Sequence, residues 1–388
     1  MKALIISSPN IRGRGGNIRS YYILRNIGKY LQTSSTYIIA VNTPQHIMNE
    51  LRSLGYNIYG LNIGTKNVEL AITKLIVNIL NQVKSWNNFD VIISHSEHPL
   101  YVIPTYIISR VLQIPWTVIV NSHMYINPSY TYNRNRMLTL PRFVRSLLAI
   151  NATNKTLVHL ISNAIQEELA KAGFRFRYYD VLNIPVGIDQ DSINKAIMRE
   201  NDKNYDAAYM GVFTQEKGIY DLLLIAYKFK KIINKPLRIL MLGKFEDRNE
   251  EHRFRTMSSK LGISDSFIFK GYLTGIEKYL ELAKARLFLF PSHVDVFPIS
   301  IIEALALGLP AITWDLPYAR QFNTASVIKV NSINSFVSAM MNLLLNENYL
   351  SSLSKEARKY TSRFTWENAA LCEYKAYIKT IEWWTKNS

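Results

Sequence analysis

Short apolar runs rich in Ile and Val recur along this chain, each followed by a segment of helical periodicity. Residues 2–7, 37–41, 91–94 and 116–120 read as buried strands, and 68–83 and 100–112 as helices between them. A first helix runs from a Gly-rich turn at 10–17 to about residue 31. Parallel strands need crossover connections, so this alternation restricts the chain to a parallel sheet with helices on its faces. It resumes in the second half, with strands at 207–210, 237–242, 267–270 and 287–290 and a helix from about 219. A chain of 388 residues exceeds what one hydrophobic core usually supports, and two such α/β domains are expected.

A lone cysteine, Cys372, excludes an internal disulfide and a multi-cysteine zinc site, which suits a reducing compartment. The first apolar run, 3–6, is too short for a signal-peptide core, and no stretch approaches the ~18 apolar residues of a spanning helix. A cytoplasmic protein, soluble or peripheral at a membrane, is expected. The formal charge of +17 is uneven: residues 1–185 hold 19 Lys+Arg against 7 Asp+Glu, and the remainder 27 against 22. Such a field attracts anionic lipid, nucleic acid or acidic substrates. No recognition motif accompanies the charge, so nucleic acid is not expected as a partner. Within 134–148, Arg134, Arg136, Arg142 and Arg145 alternate with Met137, Leu138, Leu140, Phe143 and Leu147, interrupted by Pro141. That pattern suits a segment lying on an anionic bilayer, and it equally suits a solvated helix face.

The stretch 291–310, PSHVDVFPISIIEALALGLP, carries the most chemistry. Pro291-Ser292 ends a strand, and Pro298 stands where a helix can begin. Free N–H groups at Ile299 and Ser300 would face out of the sheet's carboxyl edge, where the helix dipole favours an anion such as phosphate. Glu303 lies ~7 Å along the helix, within reach of a sugar hydroxyl while the first turn holds phosphate. Asp295 lies in the loop, and Ala304, Ala306 and Gly308 leave little bulk beyond. Taken alone, the acidic pair would also suit a half-buried helix with one surface Glu.

The whole stretch resembles the signature of the family-4 (group 1) retaining glycosyltransferases. It has a strand ending in Pro-Ser, two acidic residues separated by seven others, Phe297-Pro298, and an Ala-rich helix ending in Gly-Pro. Asp295 stands where the family usually has its first Glu. The resemblance implies an α/β chain of the GT-B fold, with two facing Rossmann-like doubly wound domains. The acceptor-side domain would be 1–185 plus a last helix in 365–388, from near Trp366, that crosses back to it. The donor-binding domain would be 186–364.

Further matches follow in the family's order. Gly15-Gly16 corresponds to a Gly-Gly lining the donor diphosphate; a dinucleotide fingerprint is excluded because Ile18 replaces the third glycine and no acidic residue follows at the right distance. His123, after the strand 116–120, corresponds to a histidine close to the transferred sugar. His95, His98 and Glu97 follow another strand; with His123 they would make a sparse metal set, and the expected role is to line the acceptor side. Residues 182–189 (LNIPVGID) resemble the interdomain crossing, with Val186 where Asn is common. Asp189-Gln190-Asp191 spells the metal motif of a different glycosyltransferase fold and is expected to be coincidence. Gly211 and Lys217-Gly218 match the loop that clamps the diphosphate, but Val212 replaces the usual Arg and removes a cation from it. Tyr272 matches a position beside the nucleotide base, although ordinary packing would read the same.

The resemblance implies transfer of a sugar from a nucleotide-diphosphate sugar to an acceptor hydroxyl with retained configuration. Lys217, the Ile299 and Ser300 N–H groups and Gly15-Gly16 would stabilise the departing diphosphate, so neither a metal nor a further cofactor is expected. Glu303 would hold the ribose, Asp295 orient the sugar and His123 contact its hydroxyls, with Gly211, Tyr272, Phe297 and Pro298 completing the donor pocket. The acceptor, lipid-linked, protein-linked or free glycan, stays open. So do two other readings: a nucleotide-sugar epimerase of the same fold, and a donor-binding protein weakened by Val212.

Overall fold

The computed structural model describes residues 1–10, 15–64, 67–83, 88–122, 140–171, 173–199 and 202–387, and the chain divides into two units, Met1–Gly187 with Trp366–Ser388, and Ile188–Thr365. The first holds seven parallel strands, β1 (Ala3–Ser7), β2 (Tyr37–Val41), β3 (Asn57–Leu61), β4 (Val91–Ser94), β5 (Trp116–Val120), β6 (Val158–Leu160) and β7 (Tyr179–Val181), in the order β3-β2-β1-β4-β5-β6-β7. Helices α1 (Gly15–Ile27), α2 (Gln45–Ser53), α3 (Val68–Val83), α4 (Pro99–Leu112), α5 (Leu140–Thr153) and α6 (Asn163–Lys171) make the crossovers. Every residue of β1, β4 and β5 is buried, which explains their unbroken apolar sequences.

The second unit repeats the plan. Strands β8 (Tyr205–Phe213), β9 (Ile239–Phe245), β10 (Phe267–Gly271), β11 (Ala285–Phe290), β12 (Ala311–Trp314) and β13 (Val327–Val330) are parallel in the order β10-β9-β8-β11-β12-β13. After α7 (Gln190–Arg199) come α8 (Ile219–Ile233), α9 (Arg248–Lys260), α10 (Gly275–Leu282), α11 (Ile299–Ala306), α12 (Pro317–Arg320), α13 (Ile333–Leu345) and α14 (Glu347–Thr361). Inward residues of β8, β9 and β11 pack on α8 and α13 through Leu222, Leu223, Phe229, Phe336 and Met340.

α15 (Trp366–Asn387) belongs to the first unit although it follows the second in sequence. Trp366 stacks on Tyr22 of α1, 4.6 Å between centroids and 13° between planes. Deeper along the helix, Glu373 pairs with Arg19 at 2.5 Å and Thr380 bonds His159 at 2.9 Å. Burial alone would raise the Glu373 pKa, but Arg19, His95 and the Tyr377 hydroxyl outweigh it and hold the carboxyl well below its usual range.

Three expected boundaries move. The first helix begins at Gly15 and ends at Ile27, so Gly15-Gly16 forms its first turn instead of a preceding loop. β8 continues to Phe213, putting Gly211 inside a strand. Gly243 of β9 explains that extension: it stands at φ +142 with the Gly211 carbonyl so close that any Cβ would overlap it, and this approach lets the two strands pair three residues further.

Candidate functional site

In each sheet the strand order reverses between the first and fourth strands, and a doubly wound fold binds ligands outside the carboxyl ends at that reversal. In the second unit the reversal lies between β8 and β11, so the loop 214–218 meets the loop 291–298 there. The structure brings Lys217 and Asp295 together: Nζ donates to Oδ2 at 2.8 Å and to the Val294 carbonyl at 2.7 Å. Asp295 Oδ1 accepts from the Val296 N–H at 2.8 Å. Lys217 is 32% exposed, so its ammonium is held in place yet open to a ligand.

Aromatic residues with no site signature in the sequence lock these loops. The buried Tyr209 hydroxyl donates to the carbonyls of Val212 and Lys217, each at 3.2 Å. Burial raises its pKa above the ordinary tyrosine value, so it stays a donor. A Cβ on Gly211 would come within 3.3 Å of that hydroxyl, which explains a glycine at this point of the strand. On the facing loop, Trp314 Nε1 donates to the Pro291 carbonyl at 2.9 Å and Tyr318 to the Ser292 carbonyl at 2.6 Å. The His293 N–H joins the loops by donating to the Glu216 carbonyl at 2.9 Å.

Pro298 precedes α11 without any side-chain cap, leaving the Ile299 and Ser300 N–H groups without intrahelical acceptors. Phe297 packs inward between Phe322 and Phe364, with centroids at 5.8 and 6.4 Å. One turn along, Glu303 is almost buried; Lys278 Nζ at 2.7 Å and Tyr279 OH at 2.8 Å both donate to its Oε1. Its Oε2 accepts nothing from the described residues. Lys278 and Tyr279 come from α10, whose preceding turn carries Tyr272. That side chain is 72% exposed, which rules out the packing role the sequence left open. Val212 is 46% exposed at the end of β8 and pairs in register with Lys244 of β9, so a lysine stands one strand away at the same level of the edge.

At the carboxyl edge of the first sheet, a Cβ on Gly16 would touch Asn121 at 3.6 Å. Glu97, 2% exposed, accepts from the Asn121 N–H at 3.0 Å, and burial pushes its pKa up to about 7. His123, Arg134 and Arg136 lie outside the described residues, as does the Arg142 side chain. His95 does not hold the expected position. His95 is 1% exposed and bonds Ser7 and Tyr377, so it anchors α15; it does not line an acceptor surface. His98 caps α4 by accepting from the Leu100 N–H at 3.1 Å. No cluster of three or more metal-ligating side chains occurs among the described residues. Asp189 accepts from the Ser192 N–H at 3.0 Å, a helix-start contact that accounts for half of the Asp-x-Asp motif.

Residues 190–360 match the family model of the glycosyl transferases group 1. The group 1 match covers most of the second unit and includes Gly211, Lys217, Asp295 and Glu303. A capsular polysaccharide biosynthesis glycosyltransferase, CapM, of Staphylococcus aureus is 22% identical over 210 residues, 50% of this chain and 52% of CapM. The chain spans 13% to 52% of the lengths of the curated relatives it matches. Among solved structures, sucrose-phosphate synthase from Thermosynechococcus elongatus superposes with TM-score 0.73, 17% identity and 98% coverage of both chains. Anabaena Alr3699/HepE in complex with UDP gives 0.71 and 14%, covering 97% of this chain and 100% of that one. The fold is GT-B, built from two Rossmann-like units with the C-terminal helix returned to the first.

Proposed function

We propose that the protein is a glycosyltransferase that moves a sugar from a nucleotide-diphosphate sugar to an acceptor hydroxyl, with retention of configuration and without a catalytic metal. The Lys217–Asp295 pair at the reversal of the second sheet, 2.8 Å apart beside the uncapped start of α11, carries this reading. The group 1 match over the same residues and the UDP bound by the Anabaena protein favour a nucleotide diphosphate as leaving group.

When the sugar's anomeric C–O bond breaks, its electron pair stays on the diphosphate. Lys217 and the Ile299 and Ser300 N–H groups would neutralise that charge, the part a metal plays elsewhere. Glu303, steadied through Oε1, would offer Oε2 to the ribose hydroxyls, and Tyr272 its open face to the base. Asp295 would exchange its lysine for a sugar hydroxyl. Gly15-Gly16 and His123 are the contributions proposed for the first unit. The acceptor is proposed to be a glycan or lipid-linked sugar, met in the cytoplasm at an anionic membrane surface. Support for that surface is the exposed Val144, Leu147 and Leu148 face of α5; no helix among the described residues is long and apolar enough to cross a membrane.

A panel of nucleotide sugars scored by thermal stabilisation identifies the donor, since a ligand at 100 times its Kd adds about 2.7 kcal/mol. With that donor, Glu303→Ala should raise KM strongly, and Lys217→Ala should lower turnover by about 1.5–3 kcal/mol of transition-state stabilisation. Turnover should survive a chelator, and NMR of the product should report the donor's anomeric configuration. Unchanged kinetics in both variants would reject the site, loss of activity with chelator the metal-free chemistry, and an inverted product the retention.

A further inference from the structure

At the amino-terminal edge of the second sheet, opposite the loops just described, lies a cavity of about 270 Å³ lined by Lys203, Arg286, Ser351, Ser354, Lys355 and Arg358. Glu347 is the acidic side chain in its lining, against four cations. A concave site with this excess is electrostatically unfavourable when empty, and it favours any anion that enters.

The cations differ in how far they are already engaged. Arg286 donates to the Leu344 carbonyl at 3.2 Å and pairs with Glu347. Lys203 donates to the Ala283 carbonyl at 2.6 Å. Arg358 reaches the Leu307 carbonyl through Nη2 at 3.3 Å, and a Cβ on Gly308 would meet its Nε at 2.6 Å, so the missing side chain makes room for the guanidinium. Lys355 makes no hydrogen bond or ion pair with the described residues, and neither do the Ser351 and Ser354 hydroxyls. The wall therefore holds two guanidiniums in set positions, a free ammonium and two free hydroxyls. Together they offer donors to an oxyanion from several side chains, and the excess of positive charge favours a dianion.

We propose that this cavity binds a phosphate monoester. A dianion would offset most of the net +3 of the lining, and the volume leaves room for a small organic group beyond the phosphate. Arg286 enters near the start of β11 and Pro291 follows its end, so roughly 17 Å of strand separates the cavity from the diphosphate loops. The site is thus distinct from that of the proposed donor and does not depend on it.

Calorimetric titration of the full chain with inorganic phosphate and with glycerol 3-phosphate, against glycerol and chloride at matched ionic strength, tests the proposal. Both phosphates should bind, glycerol should not, and Lys355→Glu should weaken both by about tenfold or more. Lys217→Ala should leave phosphate affinity at this site unchanged. Phosphatidylcholine vesicles with and without phosphatidic acid, sedimented with wild type and Lys355→Glu, distinguish a lipid headgroup from a free metabolite as the source. Lys355 is exposed and unpaired, so an unchanged melting temperature is expected for the variant. Absence of binding in both arms, or binding that ignores Lys355→Glu or is abolished by Lys217→Ala, would overturn the proposal.

Discussion

At the scale of single residues, Gly218 shows how little freedom the candidate site has. It stands at φ +78, and a Cβ there would fall 1.9 Å from the Pro291 carbonyl oxygen. Backbone, which cannot swing aside, is what it would strike. Gly218→Ala should therefore cost more than the usual ~1 kcal/mol of a left-handed alanine, on the order of 2–4 kcal/mol, read as a lower denaturation midpoint. A midpoint equal to wild type would mean the two loops are not in contact. Lys217 and Glu303 could be named as candidates because a Lys-Gly pair and an acidic pair in a proline-bounded run stand out in sequence. Tyr209, Tyr318 and Trp314 could not: a buried aromatic reads as core until its hydroxyl or indole N–H is seen to hold a loop carbonyl.

Among elements, most strands that could be read are apolar and largely buried, although β10 was read despite its exposed end and β12, buried throughout, was not. β3 is half-exposed and carries Gly60, while β6 and β7 span three residues each, so none has an apolar run long enough to stand out. β8 was read too short because Gly211 resembles a turn, and only the facing Gly243 shows why the strand continues. His95 was misplaced for a related reason: a histidine at a strand's carboxyl end looks ligand-facing, and its burial comes from α15, which lies far along the chain. For α5, Ala149, Ala152 and Ile150 face the core while Val144, Leu147 and Leu148 face out. Leu148→Glu should reduce co-sedimentation with phosphatidylglycerol vesicles by about tenfold, the equivalent of one lost leucine insertion, without lowering stability. Equal sedimentation of the two proteins would remove α5 as the contact.

Across the whole first unit, two buried titratable groups oppose each other. The His159 pKa is lowered by burial from 6.5 to about 4, so between those values the unfolded chain holds a proton the folded one lacks, and stability rises with pH. The Glu97 pKa is raised by burial from 4.5 to about 7; there the folded chain holds the extra proton, and stability falls as pH rises. Between pH 4.5 and 6.5 the slopes should nearly cancel. Glu97→Gln should uncover a loss of about 1.4 kcal/mol per unit as pH falls, and His159→Gln a similar loss as pH rises, both measurable by denaturant titration of this unit. Identical pH slopes in wild type and both variants would contradict the assignment.

The return of α15 to the first unit makes the second a contiguous insert, residues 188–365, and the Ile188 N–H donates to the Phe364 carbonyl at 3.0 Å, so its two ends are already fastened to one another. A segment whose start and finish are joined in this way can be lifted out at the gene level as one cassette, or traded for a counterpart of the same fold, without rethreading the host. Its host has no such liberty: cut at the same points, it is left as two fragments that only α15, clasped by Arg19 and His95, would hold together.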